Sequence, residues 1–489
     1  MWWRELKEAK GRILQKDSFY VIICRMNEKA TLSAIETIEN QSSVEDLYSQ
    51  LTDLSPKIVT MFTPSNRSEE EERFLSREVR GSQFYYEKLN SADFDEAAEK
   101  IQEIGNKILN HPSLPPSHRG IYEEFIADYS KKTTLLNYAQ QYNNAKSEEE
   151  KKAVAEKYRH LNIESYGEPD EDTYRSLLGG KLNAIHSKKL TGKADELRKE
   201  LFGMVNFKPG MDIPERFRPS DETVEWMHSV AESLYGGMLS HIPNEQEEFD
   251  PYELQKIFTD IIEEEFNGLN DSEGYAGAAE GWTVSVEKAT SVNVKSSEKR
   301  IVIPDNGMMR SRKKVDNLVV HEIGIHMLRS IAGGETDMLP LRSGLSDYYD
   351  AEEGLGVVME QALSGKFAER GVDHYITAGL AYYDEKDFRG AFEVKWRLSL
   401  LDSVRDGGEI NDEQIEKAKK TAFTQTLRSF RGTNDMPLFK DLSYYNGSVE
   451  VWRYLESIKG DDFLLSLLLA GKVNTSVDHR RVVLESKSM

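Results

Sequence analysis

One segment constrains the fold more than any other. Leu318-Val319-Val320-His321-Glu322-Ile323-Gly324-Ile325-His326-Met327-Leu328-Arg329 is an apolar run long enough for about three turns of helix. Yet two histidines and a glutamate fall within six of its residues. The histidines stand at i and i+5. At about 100° per residue, a regular helix points them roughly 140° apart. A histidine pair at i and i+4 lies about 40° apart and can share one metal ion. Here the rings converge only if the turn is widened to π type, with i→i+5 bonding. Gly324, inside that turn, makes the distortion cheaper. The alternative is a core helix with two ordinary interior histidines. Glu322 argues against that, because a buried carboxylate needs a partner. A metal site with an activated water supplies one.

Such a site needs a third protein ligand and one open position. The next acidic pair downstream is Glu352-Glu353, in Ala351-Glu352-Glu353-Gly354-Leu355-Gly356, after the loop-like Ser346-Asp347-Tyr348-Tyr349-Asp350. From the residues alone, these acids serve equally well as ligands or as first-turn acids that favour the helix dipole. Ahead of the histidine segment, Trp282, Val284 and Val286 alternate with Thr283 and Ser285, the period of a half-buried strand. Val292 and Val294 repeat the pattern, and Arg300-Ile301-Val302-Ile303 stops at Pro304. Three short strands in succession predict an antiparallel meander.

The rest reads as mostly helical. Ser91 is positioned to cap a helix that carries Ala97, Ala98, Ile101, Ile104 and Ile108 and ends near Asn110. Glu69 to Glu72 opens another helix with acids, and Ser147 to Lys157 reads as a solvated helix face. At roughly 150 residues per domain, 489 residues allow about three units. The expected division is a small N-terminal extension (1–65), a helical region (66–200), a catalytic core (201–470) and a C-terminal tail (471–489). Phe19 to Cys24 reads as a strand with a buried core thiol. A single cysteine excludes an intrachain disulfide.

Charge narrows the partners. With 63 Lys+Arg against 85 Asp+Glu, the net charge is −22, which repels nucleic acid and anionic membranes at long range. No apolar run approaches the roughly 20 residues of a membrane span. No secretory leader follows Met1, so a cytoplasmic location is expected.

His-Glu-x-x-x-His followed by Glu-Glu-Gly-Leu resembles the microtubule-associated tyrosine carboxypeptidase family, whose bacterial relatives are named for a Gln-Glu-Gly-Leu-Ala motif. Tyr166-Gly167-Glu168-Pro169, Trp282-Thr283-Val284, Arg428-Ser429-Phe430-Arg431-Gly432 and Lys440-Asp441-Leu442-Ser443-Tyr444-Tyr445-Asn446-Gly447 look like further elements of it. The similarity spans roughly residues 66–460. Gly356 stands where the motif has Ala, a change expected to be harmless. Asn446 stands where an acid often precedes the final glycine.

The resemblance implies an α+β, predominantly helical fold, with a zincin-like metallopeptidase core and a small antiparallel β-sheet. It implies one Zn²⁺ per chain, held by His321, His326 and Glu353, the glutamate next to the glycine. Glu322 is then free to act as general base. The oxyanion needs a further donor, for which Tyr444 is the candidate. A C-terminal carboxylate needs a cation. Arg431 and Arg428 lead, with Arg310 and Arg342 as alternatives. A core role for the tyrosine and salt-bridge roles for the arginines stay open at this point. The implied activity is removal of C-terminal residues from a protein or peptide. A zinc endopeptidase or amidase, and a non-catalytic binding protein of the same fold, are the alternatives.

Overall fold

The computed structural model describes residues 42–208, 210, 213–267, 277–289 and 291–486. The expected strand over Phe19–Cys24 and the Cys24 thiol lie outside the described residues. The described chain is predominantly helical, with five short strands. None of its helices is long and apolar enough to cross a membrane.

Local chemistry sets many of the helix starts. Ser43 and Asp46 form a reciprocal capping box, as do Asp250 with Glu253 and Asn411 with Gln414. Helix Phe94–Leu109 buries Ile101 and Ile108 and ends against Asn110, as its pattern predicts. Its cap is Asp93, however, and not Ser91. The Asp93 carboxylate accepts from the Glu96 amide at 2.9 Å, whereas Ser91 closes the preceding turn through the Lys88 carbonyl. A carboxylate at the N-cap also meets the helix dipole, which a hydroxyl does not.

Five strands form two small sheets. β1 (Glu248–Phe249) pairs antiparallel with β5 (Arg310–Ser311) immediately ahead of the histidine segment. β2 (Thr283–Glu287), β3 (Asn293–Lys295) and β4 (Arg300–Pro304) lie in the order β2-β4-β3. β3 is antiparallel to β4, but β2 runs parallel to it. The three strands fall where the alternation places them, and the simple meander is corrected. The cause is legible in composition. Ile301, Val302 and Ile303 are all buried, so β4 needs cover on both faces and takes the centre. The other two strands are only partly buried and take the edges.

Two hydrophobic cores result. One joins β4, the histidine segment, and the helices Asp221–Ser240, Tyr349–Leu363 and Ser443–Ser457, through Ile303, Val320, Tyr235, Leu355 and Trp452 among others. The other is centred on an aromatic cluster. Phe74 sits edge-on to Phe388 and Phe392, with centroids 5.1 and 4.9 Å away. The described parts of the expected extension (42–65) and tail (471–486) pack into these cores. Leu47, Tyr48 and Leu51 join the first core, and Ile58 and Phe62 join the second. Beyond residue 470, Val473, Val482 and Val483 are buried in the first core.

Candidate active site

The histidine segment is α-helical over Arg312–Leu318, π-helical over Val319–Met327 and α-helical again over Leu328–Gly334. The widened turn demanded by the i, i+5 spacing is therefore present. It brings the His321 and His326 rings to 4.7 Å between centroids, 77° apart in plane. Gly324 is needed for a second reason: a Cβ there would lie 2.6 Å from the Tyr235 ring.

Glu353, from helix Tyr349–Leu363, completes the group. One ligand atom from each of His321, His326 and Glu353 lies within 4.8 Å of the others. His321 Nε2 and Glu353 Oε2 are 3.8 Å apart. Two ligands at about 2.1 Å from a tetrahedral zinc stand roughly 3.4 Å apart, so small side-chain adjustments suffice. The donor set fits zinc chemically as well, with two imidazoles and one carboxylate.

Each histidine is oriented from behind. His321 Nδ1 bonds Glu360 Oε1 at 2.8 Å, and Asn317 Nδ2 donates to the other Glu360 oxygen at 3.2 Å. His326 Nδ1 bonds Glu352 Oε1 at 2.8 Å. Both Nδ1 atoms are thus engaged, which leaves each Nε2 free to face a metal. Glu352 is outside the group of converging ligand atoms. Its buried carboxylate also meets Arg329 Nη1, and Lys472 Nζ at 3.0 Å. Burial opposes its charge, but Lys472 and Arg329 hold it well below the usual carboxylate range. Arg329 is fully buried and gives its remaining N–H groups to the carbonyls of Leu468 and Val473. The supposed tail therefore supplies part of the site's support.

The acids of the centre are tuned apart. Burial holds Glu322 above the ordinary carboxylate range, against the pull of His321 and His326. Burial also disfavours the charge on Glu353, but its pairing with His321 and the nearby His326 imidazole bring it below that range. Burial likewise opposes the imidazolium of His321, yet the Glu353 carboxylate facing it and the hydrogen bond to Glu360 lift it to about 10. A proton therefore occupies His321 at neutral pH in the metal-free protein and must leave for a metal to bind. Divalent-metal affinity is expected to fall about tenfold per pH unit as pH drops from about 9 to 7. Chelator competition at several pH values measures it, and a flat profile would contradict the competition.

Glycines bring the second wall close. A Cβ on Gly447 would lie 1.8 Å from the Asp350 carbonyl oxygen, and one on Gly354 would lie 2.1 Å from the Gly447 carbonyl carbon. Helices Tyr349–Leu363 and Ser443–Ser457 thus cross backbone to backbone, next to Glu353 and Tyr444. Gly447→Ala is expected to destabilise the protein by at least about 1–3 kcal/mol and to cut activity with it. Thermal denaturation and a turnover assay check this. Gly356, which stands where the motif has Ala, leaves room for the metal-site imidazole: a Cβ there would lie 2.6 Å from His321 Cε1.

Tyr444 sits beside this centre, and burial, helped by the Glu353 charge, keeps its phenol protonated. Arg428 Nη2 approaches the Tyr444 hydroxyl at 3.5 Å, and the His374 ring packs at 5.9 Å. Asp441 accepts from Arg428 at 2.9 and 3.2 Å and from Arg431 at 3.2 Å. The Arg428 side chain is 40% exposed and that of Arg431 10%, so Arg428 is the one available to an incoming group. Arg310 is buried at β5 and donates to the Met308 carbonyl, and Arg342 packs along Gly334. Neither pairs with the residues of the centre.

The profile of the microtubule-associated tyrosine carboxypeptidase family, MATCAP, matches residues 231–389 and 409–485. The chain belongs to this family. The match covers the sheet, the histidine helix, Glu353 and Tyr444, so the site lies wholly inside the MATCAP region. MATCAP is a carboxypeptidase family. No curated protein and no solved structure matches the chain significantly.

Proposed function

We propose that this chain is a zinc-dependent metallocarboxypeptidase that removes C-terminal residues from a protein or peptide. The observation that carries the reading is the convergence of His321, His326 and Glu353 on one point, with both Nδ1 atoms held by carboxylates. A zinc ion held there would supply Lewis-acid activation of a water and of the scissile carbonyl.

The protein's own groups do the rest. His321 and His326 present Nε2, and Glu353 presents a carboxylate oxygen. Glu322, raised by burial, takes a proton from the attacking water on its carboxylate and passes it to the leaving amine. Tyr444, held protonated, donates its hydroxyl hydrogen to the developing oxyanion. Arg428 offers its outward N–H groups to the terminal carboxylate of the substrate. Asp441 fixes the guanidinium in place.

Paired peptides with free and amidated C-termini test the reading by mass spectrometry. Loss of C-terminal residues from the free peptide alone is expected. Internal cleavage of both would make the protein an endopeptidase, and release of ammonia from the amide would make it an amidase.

A further inference from the structure

Lys440 precedes the aspartate that fixes Arg428 and Arg431, and it has no equivalent partner of its own. Among the described residues no carboxylate lies within ion-pair distance of its Nζ. Instead, Nζ bonds the Tyr349 hydroxyl and stands 3.6 Å from that ring's centroid. Both residues line a cavity of about 240 Å³ with Tyr129, Tyr166, Asp128 and Lys132. At about 30 Å³ per water that is room for roughly eight waters, enough for a small oxyanion with part of its hydration.

The charges facing the cavity do not cancel. Lys132 is neutralised by Asp128 at 2.5 Å, and Lys57 stands 3.8 Å from Glu298. The Asp441 carboxylate is shared by two arginines. Lys440 is left over, a cation in a chain of net charge −22. The Tyr349 hydroxyl accepts from Lys440, so its own hydrogen is free to donate. A cation beside phenol donors is the chemistry of oxyanion recognition.

We propose that this cavity is an anion site for a phosphate or carboxylate group. An occupant would bridge Tyr349, one turn before Glu353, and Lys440, next to Asp441. It would thereby tie together the two arms that carry the candidate ligand and the arginine pair. Burial already lowers the Lys440 ammonium to about 8. An anion would favour its charged form.

Calorimetric titration of inorganic phosphate into the phosphate-free full chain tests this without reference to catalysis. Its outcome therefore stays separable from that of the proposed peptidase activity. One saturable site is expected. Lys440→Met should weaken it by at least about tenfold, the usual loss for a charged hydrogen bond. Tyr349→Phe, which keeps the cation, should weaken it less. It also covers the case in which Lys440→Met fails to fold. No saturable binding by the wild-type chain, or undiminished binding by both variants, would overturn the proposal. The natural source is resolved by peptides carrying Glu or Gln upstream of the C-terminus. Phosphate that slows hydrolysis of the Glu peptide alone marks a substrate carboxylate as the occupant. Phosphate that acts alike on both marks a free anion.

Discussion

Glu322→Gln is expected to lower turnover by about 10²–10⁴-fold, the usual cost of losing general acid–base help. Zinc content and thermal stability should change little. Glu322 sits on the same π turn as the two histidines but outside the converging ligand atoms, and burial raises its proton affinity. Gln keeps the size and polarity while removing the base. Loss of zinc together with activity would make Glu322 a ligand. Full activity would place the chemistry elsewhere in the chain.

The second large effect belongs to a residue that touches no substrate. Arg329→Met is expected to cost about 3–5 kcal/mol of stability, because it strips a buried carboxylate of its arginine partner. Arg329 is fully buried, and its guanidinium binds Glu352 and two backbone carbonyls from the C-terminal segment. Lys472 still neutralises part of the Glu352 charge but replaces none of those backbone bonds. Glu352 orients His326, so metal affinity should also fall by about 10–100-fold, as for other residues that orient metal ligands. Denaturant unfolding and chelator competition measure the two effects. Wild-type stability would show that Glu352 needs only Lys472.

Much of the centre was legible in the chain. The i, i+5 spacing with Gly324 predicts the π turn, while Glu353 and Tyr444 come from the family resemblance, and Glu353 lies with the two histidines. Glu360 was missed although a signal existed: it stands seven residues after Glu353, two turns along the same helix face. Asn317, four residues before His321, lies on that histidine's face in the same way. Lys472 and the carbonyls of Leu468 and Val473 carry no local signal. They reach the site through tertiary packing, which a pattern along one element does not encode. The strand order was missed for a related reason. Alternation marks which strands are half buried, but the central place of β4 depends on what covers its second face.

Zinc bound per chain, measured by elemental analysis of the purified wild-type protein and of His326→Ala, tests the central claim most directly. The wild type should carry close to one zinc per chain, and His326→Ala should lose most of it. Zinc retained in full by His326→Ala would contradict the assignment of the centre.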